Sequence, residues 1–165
     1  MENKLTTQER VKEFAEVFTP PKLVNKILDH LPKNIWKDPN KKWLDPTCGD
    51  GVFLIETKKR LLPYNKLSHI LANMLYGVDI QENNVCNCII SLYEIKNEDR
   101  LIPIRTKKAI TETSKIHDFK GLDGVISLFL LDGKLIRNFI CADGLKYQYN
   151  FGDNYDADGD QTKLF

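Results

Sequence analysis

The run Trp43-Leu44-Asp45-Pro46-Thr47-Cys48-Gly49-Asp50-Gly51-Val52-Phe53-Leu54 constrains the fold more than any other stretch of this chain. A short apolar strand runs into a carboxylate, a turn carrying two glycines follows, and an apolar helix begins at once. In open α/β sheets, ligands bind in the crevice outside the carboxyl ends of the strands, where such turns lie. Gly49 and Gly51 supply backbone conformations closed to other residues and let a ligand approach the main chain. The spacing departs from the dinucleotide fingerprint, since no third glycine follows at the required offset. An acid at the strand tip disfavours a pyrophosphate and favours a cationic or hydroxyl-bearing ligand. The alternative is an ordinary strand–turn–helix connection, because glycine turns alone are weakly specific.

The rest of the chain repeats the theme. A helix is expected from Gln8 towards Glu16, and Pro20-Pro21 ends it. A second helix carries Leu23, Val24, Ile27, Leu28 and Leu31 at amphipathic spacing. A polar loop over 33–42 leads to the strand at Trp43, and a helix spans about Val52 to Leu62. Another helix covers Lys66 to Met74. Tyr76-Gly77-Val78-Asp79-Ile80 reads as a second strand ending in an acid, and Glu82 to Ile95 as a further helix. The pattern weakens from Asn97, so about 97–137 reads as an insertion, within which the apolar stretch Gly124 to Leu131 has no definite type. Asn138 to Ala142 reads as a third strand, closed by Asp143-Gly144. Three strands thus end in Asp45, Asp79 and Asp143. Intervening helices imply parallel strands with right-handed crossovers, and so three carboxylates on one edge. The alternative for each Asp taken singly is a helix or turn cap.

Composition sets the limits. Over 165 residues, 42% hydrophobic and 28% charged, one soluble domain or part of one is expected. A net charge of +1 gives no field that marks a nucleic-acid surface. No apolar run approaches a membrane span and Met1 to Arg10 is too polar for a signal peptide, so cytoplasmic placement is expected. Cys48, Cys86, Cys88 and Cys141 lack zinc-site spacing with one another or with His30, His69 and His117, so free thiols and no metal are expected. The acidic run Asp153 to Asp160 fails the EF-hand pattern, since its first position would be Asn154 and its twelfth Phe165.

Taken together, these segments resemble S-adenosylmethionine-dependent adenine-N6 DNA methyltransferases, in the subclass whose cofactor motifs precede the catalytic motif. The resemblance covers about residues 16–150. Val17-Phe18-Thr19-Pro20-Pro21-Lys22-Leu23-Val24 looks like the N-terminal cofactor motif. Asp45-Pro46-Thr47-Cys48-Gly49-Asp50-Gly51 is similar to the glycine-loop motif, Tyr76 to Ile80 to the second acidic motif, and Ile140 to Leu145 to the third. The fold so implied is α/β, a Rossmann-like class I methyltransferase fold. Here it has an incomplete parallel sheet (the first three strands), helices on both faces and an N-terminal helical segment. The implied cofactor is S-adenosyl-L-methionine, held by Phe18, Thr19, Asp45, Thr47, Gly49, Gly51, Asp79, Ile80 and Asp143. Asp45 and the glycine loop would meet the methionine end, with help from Thr19. Asp79 would take the ribose hydroxyls, Ile80 would pack on the adenine, and Asp143 would accept from its exocyclic amine.

The sequence departs from that family in several respects: the sheet stops after three strands, the target-recognition domain is absent, the spacing from Asp79 to Asp143 is long, and the catalytic motif is missing. Transfer to an exocyclic amine uses an Asn/Asp/Ser-Pro-Pro-aromatic motif whose ring stacks on the flipped base. None follows Asp143, and Thr19-Pro20-Pro21-Lys22 lies ahead of the glycine loop with Lys in place of the aromatic. No catalytic residue is therefore assigned, and DNA would be engaged through missing or separate regions. The expected organisation is a helical segment with a cofactor motif over 1–40, a Rossmann-like half domain over 41–146 and an acidic tail over 147–165. The first strand would expose an unpaired edge. A second polypeptide, the tail with the 124–131 stretch, or the remainder of a longer enzyme would cover it. The alternative function is a non-catalytic, methyltransferase-like binding or regulatory module.

Overall fold

The structure, a computed structural model, describes residues 19–105 and 125–147. The expected Gln8–Glu16 helix, Phe18 and the acidic run lie outside them. The described chain forms α1 (Pro21–Asp29), a 3-10 turn (Lys33–Lys37), β1 (Trp43–Asp45) and α2 (Val52–Leu61). A helical turn (Leu67–His69) then winds into a π-helical turn (Ile70–Met74) and leads to β2 (Leu75–Asp79) and α3 (Glu82–Tyr93). Three more strands follow: β3 (Leu101–Ile104), β4 (Val125–Leu131) and β5 (Lys134–Ala142).

These strands make one five-stranded sheet in the order β1-β2-β5-β4-β3. Strands β1, β2 and β5 run parallel, with Asp45 opposite Gly77 and Asp79 opposite Cys141. Strand β4 is antiparallel to β5, and β3 to β4. The sheet is therefore mixed, and the expectation of a purely parallel three-stranded sheet is corrected. The stretch read as an insertion over 97–137 supplies β3, β4 and the first half of β5. Its turn is Asp132-Gly133, both at positive φ (51° and 76°), the two-residue geometry that matches the twist of a hairpin.

Two apolar clusters lie on the sheet. The larger gathers Val24 and Leu28 of α1, Leu54 and Leu61 of α2, and Val85, Ile89 and Leu92 of α3 around Leu75, Phe129 and Phe139. The smaller holds Val78, Leu128, Ile140 and Ala142, and no helical residue belongs to it. Among the described residues all three helices thus serve one face, which corrects the expectation of helices on both. For α2 and α3 the reason is topological, since right-handed crossovers between strands laid down in one direction put successive helices on the same side; α1, ahead of β1, is held beside α2 through Arg60.

Two local details depart from the periodic pattern. Leu23 and Ile27 of α1 remain 48% and 46% exposed, and only Val24 and Leu28 of that stripe are buried. The expected Lys66–Met74 helix breaks into a π-turn because Asn138, buried on β5, donates its side-chain amide to the Leu71 carbonyl at 2.7 Å and to that of Leu75. A π-turn leaves backbone acceptors unmatched, and here a strand side chain supplies the donor.

Side-chain bonds fix the helices against one another. Arg60 of α2 donates to the Asn25 carbonyl (3.2 Å), to Asn25 Oδ1 (2.9 Å) and to Asp29 Oδ1 (2.7 Å). Asn25 in turn donates to Glu56 at 2.8 Å. The Arg60 guanidinium also covers the Trp36 ring, which stacks on Trp43 at 4.5 Å. At the far ends of α2 and α3, the buried Lys58 ammonium caps the Leu92 carbonyl (2.6 Å) and meets Glu94 (2.9 Å). The amino ends of both helices are left facing the carboxyl edge of the parallel strands.

Candidate cofactor site

Strand β1 ends at Asp45, and its carboxylate accepts the Thr47 N–H at 3.2 Å, starting the turn. The loop then crosses to β2, where Cys48 N–H donates to the Val78 carbonyl at 2.8 Å. Gly49 follows at φ 52° and donates its N–H to Asp79 Oδ2 at 3.0 Å. Gly51, at φ 89°, donates to the Cys48 carbonyl at 2.8 Å and opens α2. A Cβ at Gly51 would lie 2.5 Å from Cys88 Sγ, so glycine is required there for space as well as for dihedral angle. At Gly77, a Cβ would press on the Phe139 ring at 2.9 Å, which explains a glycine in mid-strand.

The loop borders a cavity of about 190 Å³ lined by Thr19, Asp45, Thr47, Cys48, Gly49, Asp50, Val52 and Phe53. Four residues singled out in the sequence (Thr19, Asp45, Thr47 and Gly49) meet there. Thr19 reaches the cavity because Pro20 and Pro21 start α1 immediately after it, and α1 is pinned to α2 through Arg60. Asp79 borders the loop through its bond to Gly49. Ile80, next along the chain, is 59% exposed at the same edge. Asp143 stands at that edge too, one residue beyond β5. Its carboxylate is engaged by the Leu145 N–H (3.0 Å) and the Lys146 ammonium (3.2 Å), and these hold it below the ordinary carboxylate range. It is not among the residues lining the cavity.

The electrostatics point to a cation. Burial pushes the Asp45 carboxyl above its ordinary value, and the nearby Asp79 charge adds to the rise, against the lowering by the Thr47 N–H. Two carboxylates share one loop, and among the described residues neither meets a lysine or arginine. Such a pair favours a positively charged, hydroxyl-bearing ligand. The N–H groups of the first turn of α2, which have no partner within the helix, suit a ligand carboxylate. Residues that fit a sulfonium amino acid joined to a nucleoside are thus present.

Sequence reasoning missed Cys48, Asp50, Val52 and Phe53 as lining residues, although all lie in the motif that it emphasised. It also missed Gln81 and Asn84, which donate to Asp79 Oδ1 at 2.8 and 3.3 Å. The Cys48 thiol is held protonated, first by its hydrogen bond to Cys88 and then by burial. Burial likewise raises Cys86 to about 11 and Cys141 to about 12, so none of the three is a thiolate nucleophile near neutrality. Among the described residues, no group of three or more His, Cys, Asp or Glu could hold a metal ion, and no helix is long and apolar enough to cross a membrane.

Fold and site define a class: an α/β protein with an acidic, glycine-lined crevice at the carboxyl ends of parallel strands. Comparison with known proteins makes this specific. The family model for N-6 DNA Methylase matches residues 3–128, and the chain belongs to that family. The chain is also similar to a protein of Mycoplasma pneumoniae named as an uncharacterized adenine-specific methylase. The two are 35% identical over 77 residues, covering 39% of this chain and 18% of that relative's length. No solved structure matches the chain.

Proposed function

We propose that this chain is the S-adenosylmethionine-binding part of a site-specific adenine-N6 DNA methyltransferase of restriction-modification or phage type. The observation that carries the reading is the convergence of Asp45 and Asp79 on one glycine loop, with no cationic side chain among the described residues paired to either. Strands β1, β2 and β5, with their acids at one edge, would form half of a Rossmann-like sheet. Thr19, Asp45, Thr47, Gly49 and Gly51 would hold the methionine end, Asp45 offsetting its positive charge. Asp79 would accept the ribose hydroxyls, Ile80 would cover the adenine face, and Asp143 would take its amine once turned from Lys146. Phe18, outside the described residues, belongs to the same proposed set of cofactor contacts.

When bound, S-adenosylmethionine supplies a methyl group activated by the adjacent sulfonium. The part played by this chain is to bind and orient that group. The polar-Pro-Pro-aromatic motif that would grip the target adenine, and the region that reads DNA, would come from outside this sequence or from a second polypeptide. The protein would act in the cytoplasm.

A second reading has one observation in its favour: the 165 residues contain no Asn/Asp/Ser-Pro-Pro-aromatic motif. On that reading the chain is a non-catalytic module that kept the pocket. Equilibrium dialysis with radiolabelled S-adenosylmethionine tests what both readings share. Uptake displaced by S-adenosylhomocysteine but not by ATP is expected, and displacement by ATP would refute the site. Methyl transfer to adenine in DNA, by this chain alone or with a partner, separates the two readings.

A further inference from the structure

We propose that Asn84 is a positioning residue for this site, its side-chain amide fixing the Asp79 carboxylate in the orientation that the ligand meets. The proposal rests on the reading of the crevice as an S-adenosylmethionine site. Asn84 stands at the third position of α3, five residues after Asp79, and is only 3% exposed. Its Nδ2 donates to Asp79 Oδ1 at 3.3 Å. Only the amide nitrogen of that side chain can donate to a carboxylate, so the orientation of the amide is set by chemistry. The other two donors to Asp79 are closer, and both are backbone N–H groups. The Gln81 N–H, at 2.8 Å, lies two residues along the same chain and moves with Asp79. The Gly49 N–H, at 3.0 Å, sits on the loop whose shape Asp79 itself helps to set. Asn84 is built on a helix packed against the sheet through Val85, Ile89 and Leu92. It therefore ties the carboxylate, and through it the glycine loop, to the rigid body of the domain.

A double-mutant cycle read by calorimetry with S-adenosylmethionine tests this. Asn84→Ala should weaken binding about fivefold or more in the wild-type background and add almost nothing in Asp79→Ala, since Asn84 acts through that carboxylate. Binding unchanged by Asn84→Ala, or an equal loss in both backgrounds, would overturn the proposal. Asn84→Asp gives a second readout that a structural role would not move. The introduced carboxyl can donate to Asp79 only when protonated, and when ionised it repels Asp79. Affinity of this variant relative to wild type should rise as pH falls from 8 to about 5.5, and a constant ratio would contradict the assignment even if Asn84→Ala fails to fold. A wild-type protein that takes up no S-adenosylmethionine would refute the cofactor reading and this proposal together. Wild-type binding that is lost on Asp79→Ala but indifferent to Asn84 would refute this proposal alone.

Discussion

Gly49 donates its backbone N–H to the Asp79 carboxylate across 3.0 Å, joining the loop after β1 to the tip of β2. An acid that is expected to meet the ligand thus also shapes the loop on which the ligand rests. Stability and binding are coupled through that contact.

Asp45 should trade stability for binding. Its carboxyl is raised above the ordinary value by burial and by Asp79, so between the unfolded and the native value the native state retains a proton that the unfolded state has released. Its contribution to stability therefore falls as pH rises through the native value. Asp45→Asn should raise the melting temperature near neutral pH. It should also weaken S-adenosylmethionine binding about tenfold or more, by loss of a charge-assisted contact. In the wild type, affinity should decline on acidification as a proton takes the place of the ligand's positive charge. Differential scanning calorimetry and binding measured from pH 8 downwards check both halves. A variant that is less stable yet binds as well would refute this account of Asp45.

The two loop glycines should differ in cost. At Gly49 a Cβ meets nothing within 4 Å, so Gly49→Ala should cost only the left-handed strain, about 1–2 kcal/mol. At Gly51 the same strain combines with a 2.5 Å approach to Cys88 Sγ. Gly51→Ala should therefore cost about 1–3 kcal/mol more. Cys88→Ala should recover part of that loss and not all, because a Cβ at Gly51 also lies 3.2 Å from Cys88 Cβ. Urea unfolding of the single and double variants gives the comparison.

Arg60 should matter to the site although it lies outside it. Its guanidinium bonds hold α1 at Asn25 and Asp29, and α1 follows directly from Thr19. Arg60→Ala should speed amide hydrogen exchange across Pro21–Asp29 while exchange in α3 stays slow. Ligand affinity should fall about threefold to tenfold through displacement of Thr19, within the range for loss of one hydrogen bond. Unchanged exchange in α1 would show that apolar packing of Val24 and Leu28 is sufficient by itself.

The parts of this fold that were legible in the sequence have local causes. The strand at Trp43–Asp45, the glycine turn and α2 follow from a short apolar run, positive-φ glycines and an apolar helix start within one short segment. The second strand and α3 follow likewise around Asp79. The hairpin of β4 and β5 was harder, because Val125–Leu131 is apolar at every position but Ser127 and shows no alternation that would mark a strand. The signal that could have found it is Asp132-Gly133, an Asp-Gly pair between apolar runs. The π-turn at Ile70–Met74 was not legible, since its cause is Asn138, remote in sequence. The same holds for the Gly49–Asp79 bond, which exists only once β1 and β2 are side by side. Asp143 is different again: its strand tip was readable, but its engagement by Lys146 depends on the turn that follows.

Calorimetry of S-adenosylmethionine binding to the wild type and to Asp79→Ala tests the central claim most directly. The account predicts saturable binding by the wild type at one site per chain, weakened about tenfold or more in the variant by loss of a half-buried hydrogen-bonded acid. Equal heats from the two proteins, with both still folded, would mean that the acids gathered at this sheet edge do not form the nucleoside site.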